Sequence, residues 1–310
     1  MNIYNKKYIW FLFSIVLITL MSCEEEITLD MPTGEQKIVV EGYIEPETPL
    51  YILLTHTIPY FSQNFTNEMN DIFVSGAEIS IFDGTKTVDL MEVNISNLPD
   101  SIAKFLLDKF QLSVENIKNS NLVFYTSIAM LGEVGKEYTL NVKIGNKTIE
   151  AKTTIPQKIS FDSIWVEPHP NPQMDSLFLL KAKYKDPPNE INYYRYFTKR
   201  NDEPFYPNRF YSVTDDELTD GQTVTFTFIR GESKYKEFNP RDYGFFKSGD
   251  TVILKFCTLD KQHFDFWNTY SAGQFSGGPF MSPVEITSNV DGGLGIFGGY
   301  GATYTTFIIP

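Results

Sequence analysis

The sequence predicts a mainly β protein made of two β-sandwich domains of immunoglobulin-like type, with a small helical insertion in the first and a short helix near the C-terminus. Three observations predict this class. Short segments alternate apolar and polar residues with a period of two, Gly, Asn, Asp and Pro separate them, and aromatic residues make up 15% of the chain. The length of 310 residues suits a short leader and about two domains.

The first element is a leader that directs export. Lys6 and Lys7 precede an apolar run over residues 8–21, which is too short to span a membrane and is typical of a secretory signal. The run ends in Leu-Met-Ser before Cys23, which resembles the lipobox of bacterial lipoproteins, where the cysteine is acylated and becomes the new N-terminus. We predict a lipoprotein signal peptide over residues 1–22 and a lipid anchor at Cys23. A plain signal peptide followed by an accidental cysteine is the alternative.

The residues after the cysteine are acidic. Glu24, Glu25 and Glu26 resemble the export tag of Bacteroidota lipoproteins that are passed to the outer face of the outer membrane. Each methylene of an acyl chain such as palmitate that enters the bilayer adds roughly 0.8 kcal/mol to the membrane-binding free energy. Two or more chains therefore hold a protein on a bilayer essentially permanently. We expect residues 23–35 to form an acidic tether and the protein to be lipid-anchored in the outer membrane, facing the cell exterior.

The first β-sandwich is predicted over residues 36–157. Its predicted strands include residues 38–44, 50–57, 77–82 and a hairpin over 138–153 that turns at Gly145 and Asn146. A helical insertion is expected near residues 100–119. Apolar residues there follow helical spacing after Asp100 or Ser101 as N-cap, and Ser113 is expected to cap a second short helix through Ile117.

The second β-rich domain is predicted over residues 158–310. Its predicted strands are residues 161–166, 177–184, 193–198, 223–230, 252–258 and 302–309. Asp260 is expected to cap a helix that Gly273 ends. A glycine-rich segment over residues 273–301 then indicates close backbone approach or positive φ at several positions.

Charge and cysteine content limit the partners and the chemistry. A formal net charge of −13 disfavours nucleic acid as a partner. Lipidation of Cys23 leaves Cys257 alone, so we expect no intrachain disulfide in spite of the oxidising location.

No cofactor, metal ion or catalytic residue is predicted. The three histidines lie far apart, no Gly-x-Ser-x-Gly motif occurs, and Cys257 lies in an apolar strand. Residues 293–298 match the dinucleotide-binding fingerprint, but no helix and second parallel strand can follow before Pro310, so we interpret the match as false.

Aromatic and glycine residues form the candidate partner or ligand surface. The aromatic members lie among Arg195, Arg200 and Arg209, which would add cationic donors to the stacking faces. The candidate residues are Tyr194, Tyr196, Phe205, Tyr206, Gly292, Gly293 and Gly295. The alternatives are that these rings belong to the core and that the glycines serve a tight crossing at the sandwich edge.

Several motifs together resemble one protein family. They are the lipobox cysteine with its acidic residues, Ile38-Val39-Val40-Glu41-Gly42-Tyr43-Ile44, Val74-Ser75-Gly76-Ala77-Glu78-Ile79, Phe266-Trp267 and the run Ser288-Asn289-Val290-Asp291-Gly292-Gly293-Leu294-Gly295-Ile296-Phe297-Gly298. This set resembles the Bacteroidota lipoproteins of domain of unknown function 4249. The resemblance implies a TonB-dependent outer-membrane transporter as partner and carries over no catalytic residue.

The predicted function is therefore a non-enzymatic accessory or binding partner of such a transporter in nutrient uptake. A surface-anchored enzyme acting on glycans or peptides is the first alternative, because carboxylate pairs are invisible in sequence. A structural or adhesive surface protein is the second.

Overall fold

The structure, a computed structural model, describes residues 35–58, 72–109, 121–275, 282 and 284–310. Gln36–Pro310 form one compact unit, and its several antiparallel sheets confirm the mainly β prediction. The leader, the anchor Cys23 and the tag Glu24, Glu25 and Glu26 lie outside the described residues, as does the second short helix expected from Ser113. No described helix is both long and apolar enough to cross a membrane.

The predicted strands are present, with short additional ones between them. In the first half they are β1 (Ile38–Ile44), β2 (Pro49–His56), β3 (Glu78–Phe82), β4 (Thr87–Asp89), β5 (Met91–Asn94), β6 (Val123–Leu131), β7 (Glu137–Ile144) and β8 (Lys147–Thr154). In the second they are β9 (Ser163–Pro168), β10 (Leu177–Lys185), β11 (Tyr193–Arg200), β12 (Tyr206–Pro207), β13 (Val213–Asp215), β14 (Thr223–Phe228), β15 (Phe246–Lys247), β16 (Thr251–Leu259), β17 (Val290–Asp291), β18 (Leu294–Gly299) and β19 (Gly301–Ile308).

The first sandwich consists of two five-stranded sheets with orders β18-β1-β2-β6-β5 and β17-β8-β7-β3-β4. Their inner faces share one core, in which Val40 and Leu54 of the first sheet meet Ile79 and Leu140 of the second. The period-two alternation of these strands follows from that arrangement, since one face is buried and the other is not. The predicted hairpin is confirmed as β7 and β8, with Gly145 at a φ of 55° in its turn.

The second sandwich is built in the same way. One sheet has the order β14-β10-β15 with β9 also paired to β10, and the other has the order β12-β11-β16-β19 with β13 also paired to β11. Its core joins Leu180 and Phe228 of one sheet to Tyr194 and Phe256 of the other. Aromatic side chains fill this core through edge-to-face and stacked contacts, for example between Tyr194 and Phe256 with ring centroids 5.3 Å apart.

The C-terminal segment returns to the first sandwich. Strand β18 pairs with β1 in parallel, with Val39 opposite Leu294, and β17 pairs with β8. Two strands from the predicted C-terminal domain, residues 158–310, therefore complete the sheets of the first sandwich. The run that matches the dinucleotide fingerprint is β18 itself rather than a phosphate-binding turn.

Two α-helices lie within the described residues. Helix α1 (Asp100–Lys109) packs Leu106 and Leu107 onto the outer face of the β1 sheet. It begins at Asp100, after the Pro99 carbonyl that accepts from Ile102 and Ala103, so Asp100 and Ser101 are its first residues and not its N-cap.

Helix α2 (Lys261–Phe275) has the predicted N-cap but not the predicted end. Asp260 accepts a hydrogen bond at 2.8 Å from the backbone N–H of His263. Its other carboxylate oxygen accepts from Thr153 and Thr154 and so fastens α2 to the end of β8. Gly273 does not end the helix, because a glycine inside a helix costs only about 1 kcal/mol.

The two sandwiches contact each other through the outer face of the β1 sheet. Tyr43 and Ile296 from that face share a core with Phe197, Cys257 and other residues of the second sandwich. This contact surface leaves open a cleft at one side, which is lined from both sandwiches and from both helices.

Candidate binding cleft

The described residues form a concave site in this cleft, with a volume of about 690 Å³. Its walls are the outer face of β1, β2 and β18, the facing strands β11, β16 and β19, and the helices α1 and α2. Its lining residues include Val39, Glu41, Tyr43, Glu45, Tyr51, Phe105, Asp108, Arg195, Phe197, Lys199, Phe205, Asn208, Arg209, Glu232, Lys234, Tyr235, Lys255, Phe266, Trp267, Tyr270, Gly295, Ile296, Tyr300 and Tyr304. A volume of this size is typical of small-molecule sites.

Aromatic rings dominate the walls of the cleft. Helix α2 presents Phe266, Trp267 and Tyr270, whose rings contact one another with centroids 5.0–6.0 Å apart. Helical spacing explains this group, since residues three and four positions apart lie on one face. The exposed Tyr235 and the half-exposed Phe105 mark the mouth of the cleft. Such walls offer flat apolar surface to a ligand.

Arg195 lies in the wall of the cleft on β11 and is almost fully buried, with 3% of its surface exposed. Its guanidinium stacks on the ring of Trp267, with Cζ 3.4 Å from the ring centroid, and Phe197 lies 4.8 Å away. Its Nη1 donates to the Tyr300 hydroxyl at 2.8 Å, while its Nε and the Nε1 of Trp267 have no hydrogen-bond partner. The cleft therefore contains a buried cation with spare donors.

Glu41 is a half-buried carboxylate in the same cleft. Its Oε1 accepts a hydrogen bond from the Tyr43 hydroxyl at 3.1 Å. Burial raises the pKa of Glu41 above its ordinary value, and the opposing effects of the Tyr43 hydrogen bond and of Arg195 and Lys234 are smaller. The negative charge of Glu41 is consequently less stable than that of a carboxylate in water.

A buried ion pair spans the two sandwiches at the cleft. Lys255 on β16 donates to Oε1 of Glu45 at 2.7 Å, and the Tyr304 hydroxyl donates to the other oxygen at 2.8 Å. Burial and the nearby Glu45 charge raise the pKa of Tyr304. Lys255 also lies 4.7 Å from the ring centroid of Tyr300. These contacts hold the two facing walls of the cleft together, and they give both charges of the pair a direct partner.

Two further basic residues at the cleft, Arg209 and Lys234, are positioned by their own partners. Arg209 lies 3.3 Å from Glu232, and Lys234 donates to the Tyr270 hydroxyl at 3.0 Å.

The family comparison covers nearly the whole chain after the leader. The model described as Domain of unknown function (DUF4249) matches residues 24–306. The chain belongs to the DUF4249 family. No curated protein matches it.

The structure places the predicted surface residues of this DUF4249 protein in different environments. Phe205 and Gly295 line the cleft. Tyr194 and Tyr196 do not form surface, because both lie in the core of the second sandwich with 1% and 6% of their area exposed. Tyr206 is half-buried on the short strand β12.

The three predicted glycines serve close packing. A Cβ at Gly295, whose φ is 106°, would lie 2.0 Å from the carbonyl oxygen of Val40. Similar contacts would arise at Gly292 with the Thr148 oxygen at 2.5 Å and at Gly293 with the Ile38 oxygen at 3.0 Å. The edge-crossing alternative therefore describes these positions better than a ligand-clasping loop.

Cys257 and His263, the side chains best suited to catalysis or metal binding by type, are both buried in the structure. No cluster of three or more His, Cys, Asp or Glu side chains that could hold a metal ion occurs among the described residues. Cys257 is fully buried, and burial raises the pKa of its thiol to about 12, so the thiolate is inaccessible. His263 is also buried, and burial lowers its pKa to about 4.

Sequence reasoning found part of the cleft. It singled out Arg195 and Arg209 among aromatic residues, and it predicted the helix that carries Trp267 and Tyr270. It missed Glu41, for which the only available signal was a charged residue in an otherwise apolar strand.

Proposed function

We propose that this protein is a lipid-anchored, non-enzymatic binding protein on the outer face of the outer membrane, which serves as an accessory of a TonB-dependent transporter in nutrient uptake. The observation that carries the binding role is the cleft, where aromatic walls surround the buried guanidinium of Arg195. In this role the cleft captures a ligand and hands it to the transporter.

The proposed lipid anchor and the proposed transporter partner are supported by features of the sequence. The lipobox-like segment before Cys23 and the acidic Glu24, Glu25 and Glu26 support surface display by a lipid, as does the resemblance to Bacteroidota lipoproteins. Tethering would raise the effective concentration of the binding site at the transporter to the millimolar range without any new contact.

A non-enzymatic role is supported by the ion pairs that two of the cleft carboxylates form. Glu45 pairs with Lys255, and Glu232 pairs with Arg209. A carboxylate that is engaged by a cation in this way is less available to transfer a proton to or from a ligand.

An enzyme acting on glycans or peptides remains the second candidate because of Glu41. A carboxyl group with a raised pKa in a cleft is the usual form of a general acid. We expect no release of reducing ends or of free amines when the purified protein is incubated with panels of surface glycans and peptides. Hydrolysis that is lost in Glu41→Gln would replace the binding role with this one.

An affinity pull-down from solubilised outer membranes tests the proposal. The tagged wild-type chain should fractionate with the outer membrane and recover a TonB-dependent transporter, identified by mass spectrometry. Cys23→Ser should leave the leader uncleaved or the protein out of the outer-membrane fraction, and should recover much less transporter. Recovery of no transporter by the wild type, or unchanged membrane fractionation of Cys23→Ser with normal leader removal, would contradict the proposal.

A further inference from the structure

The charge of Arg195 is not neutralised by an ion pair within the described part of the chain. Two other cleft cations have carboxylate partners, at 2.7 Å for Lys255 and 3.3 Å for Arg209. Arg195 is more buried than Lys255, with 3% against 8% of its surface exposed. Its one hydrogen bond within the described residues nevertheless goes to the neutral Tyr300 hydroxyl. Arg195 interacts with the Glu41 carboxylate only at longer range, and burying a guanidinium without a directly bound counterion is costly. This cost favours an anion in the site.

The geometry of Arg195 suits a planar anion. The guanidinium lies over the Trp267 ring, with Cζ 3.4 Å from the ring centroid, and a stacked guanidinium keeps its N–H groups available at its edges. Since Nη1 binds Tyr300 and Nε has no partner, the guanidinium retains donors for a second group. Two parallel N–H donors are the arrangement that binds a carboxylate in a bidentate manner. A side chain held in this way loses little entropy on binding.

The surroundings of Arg195 specify the rest of the ligand. The rings of Phe266, Trp267 and Tyr270 provide flat apolar surface, and the volume of about 690 Å³ accommodates one compact organic molecule. Glu41 lines the same space, and one oxygen of its carboxylate is held by the Tyr43 hydroxyl at 3.1 Å.

We propose that the cleft binds a small organic anion, a carboxylate or sulfonate on a flat apolar body, with Arg195 pairing to the anionic group and the aromatic residues of α2 holding the body. This inference rests on the proposed binding role of the cleft and names its ligand class.

Two fluorescent probes with the same ring skeleton test this ligand class. The anion 8-anilinonaphthalene-1-sulfonate carries a sulfonate, and N-phenyl-1-naphthylamine is its neutral counterpart. The wild-type mature chain should bind the anion with one-to-one stoichiometry and at least about tenfold more tightly than the neutral probe, as expected for hydrogen bonds to a charged group. Phenylacetate should displace the bound anion at lower concentration than phenylacetamide does.

Variants assign the preference to Arg195. Arg195→Gln should weaken binding of the anionic probe by at least about tenfold and change binding of the neutral probe by less than about twofold. Arg241→Gln, which removes one exposed positive charge, is the matched control and should change neither. In Trp165→Phe, Trp267 is the only tryptophan of the mature chain, so quenching of its fluorescence reports that the probe is in the cleft.

Three results would overturn the inference. They are equal wild-type affinity for both probes, unchanged anion binding in folded Arg195→Gln, and anion binding without quenching of Trp267. If circular dichroism shows that Arg195→Gln does not fold, the anion preference is tested instead by comparing the two probes on the wild type and on Arg195→Lys, which keeps the positive charge. Binding of both probes without an anion preference would leave the binding role intact, and the transporter pull-down tests that role separately.

Discussion

At the scale of single residues, the pair formed by Glu45 and Lys255 is the main electrostatic link between the two sandwiches. Both side chains are buried, with 3% and 8% of their surface exposed. Removing one partner of a buried pair leaves the other charge without compensation, which is far more costly than losing an exposed pair.

Lys255→Met should therefore lower the free energy of unfolding by about 3–5 kcal/mol. Lys261→Met is the matched control, because Lys261 pairs with Asp265 on the exposed side of α2, and it should cost less than about 1 kcal/mol. Urea denaturation of both variants measures the difference. Equal small losses in the two variants would show that the buried pair contributes little.

His263 should make stability fall as the pH falls. Burial lowers its pKa in the folded state from 6.5 to about 4, so between these values the unfolded chain takes up a proton that the folded chain does not. The free energy of unfolding should be highest above pH 6.5 and decrease by up to about 3 kcal/mol on acidification to pH 4.

The variant His263→Asn tests the source of this pH dependence. The Nδ1 of His263 donates to the Gly299 carbonyl at 3.2 Å, and an asparagine amide can replace that donor. Denaturation curves measured between pH 4 and pH 7 should show a smaller decrease for the variant than for the wild type. Identical decreases would assign the pH dependence to other groups.

Residue roles on β11 show the limit of sequence reasoning at this scale. Tyr194 and Tyr196 lie in the core of the second sandwich, while Tyr193 and Phe197 on the opposite face pack against the other core between the sandwiches. Alternation identifies two faces, but it cannot reveal that both are covered. Arg195, a charge within this aromatic strand, was the one local sign that a polar site lies nearby.

At the scale of elements, β18 depends on glycine to lie beside β1. The Val40 carbonyl occupies the place of a side chain at Gly295, and the φ of 106° disfavours any other residue. The strand also forms one wall of the cleft. Its glycines thus have a structural role that also shapes the site.

Gly295→Ala should lower the free energy of unfolding by about 2–5 kcal/mol, from the combined backbone strain and overlap. Gly145→Ala is the control, because Gly145 also has a positive φ but has nothing within 4 Å of an added Cβ, and it should cost about 1 kcal/mol. Chemical denaturation compares the two. A loss at Gly295 no larger than at Gly145 would contradict the close packing of β18 on β1.

Elements with local signals were predictable. The hairpin of β7 and β8 has alternation and a turn sequence within one short segment, and α2 has the capping Asp260 directly before it. The end of α2 was predicted wrongly at Gly273, since packing of its aromatic face outweighs a single weak helix former.

At the scale of the whole molecule, the first sandwich requires strands from the far end of the chain. The pairing of Val39 with Leu294 has no local signature, because parallel strands so distant in sequence need no characteristic turn. The cleft was unpredictable for the same reason, since its walls come from both sandwiches and exist only after this pairing.

A chain truncated to residues 24–157 should consequently fail to fold on its own. It lacks β17 and β18, so the β1 strand and the β8 strand each lose a paired neighbour and expose an apolar edge. Circular dichroism during urea titration should show no cooperative transition for this fragment and one transition for the mature chain. A cooperative transition in the fragment would contradict this interdependence.

Photo-crosslinking in the native membrane tests the central claim most directly, namely that the cleft of an anchored protein serves a transporter. A photoreactive phenylalanine replaces Tyr235 at the cleft mouth or, as control, the exposed Lys143 on the outer face of the β17-β8-β7-β3-β4 sheet. We expect a crosslink to a TonB-dependent transporter from position 235, much less from position 143, and none when Cys23 is replaced by Ser. The absence of a transporter crosslink from position 235 in the anchored protein would contradict a role of the cleft at the transporter.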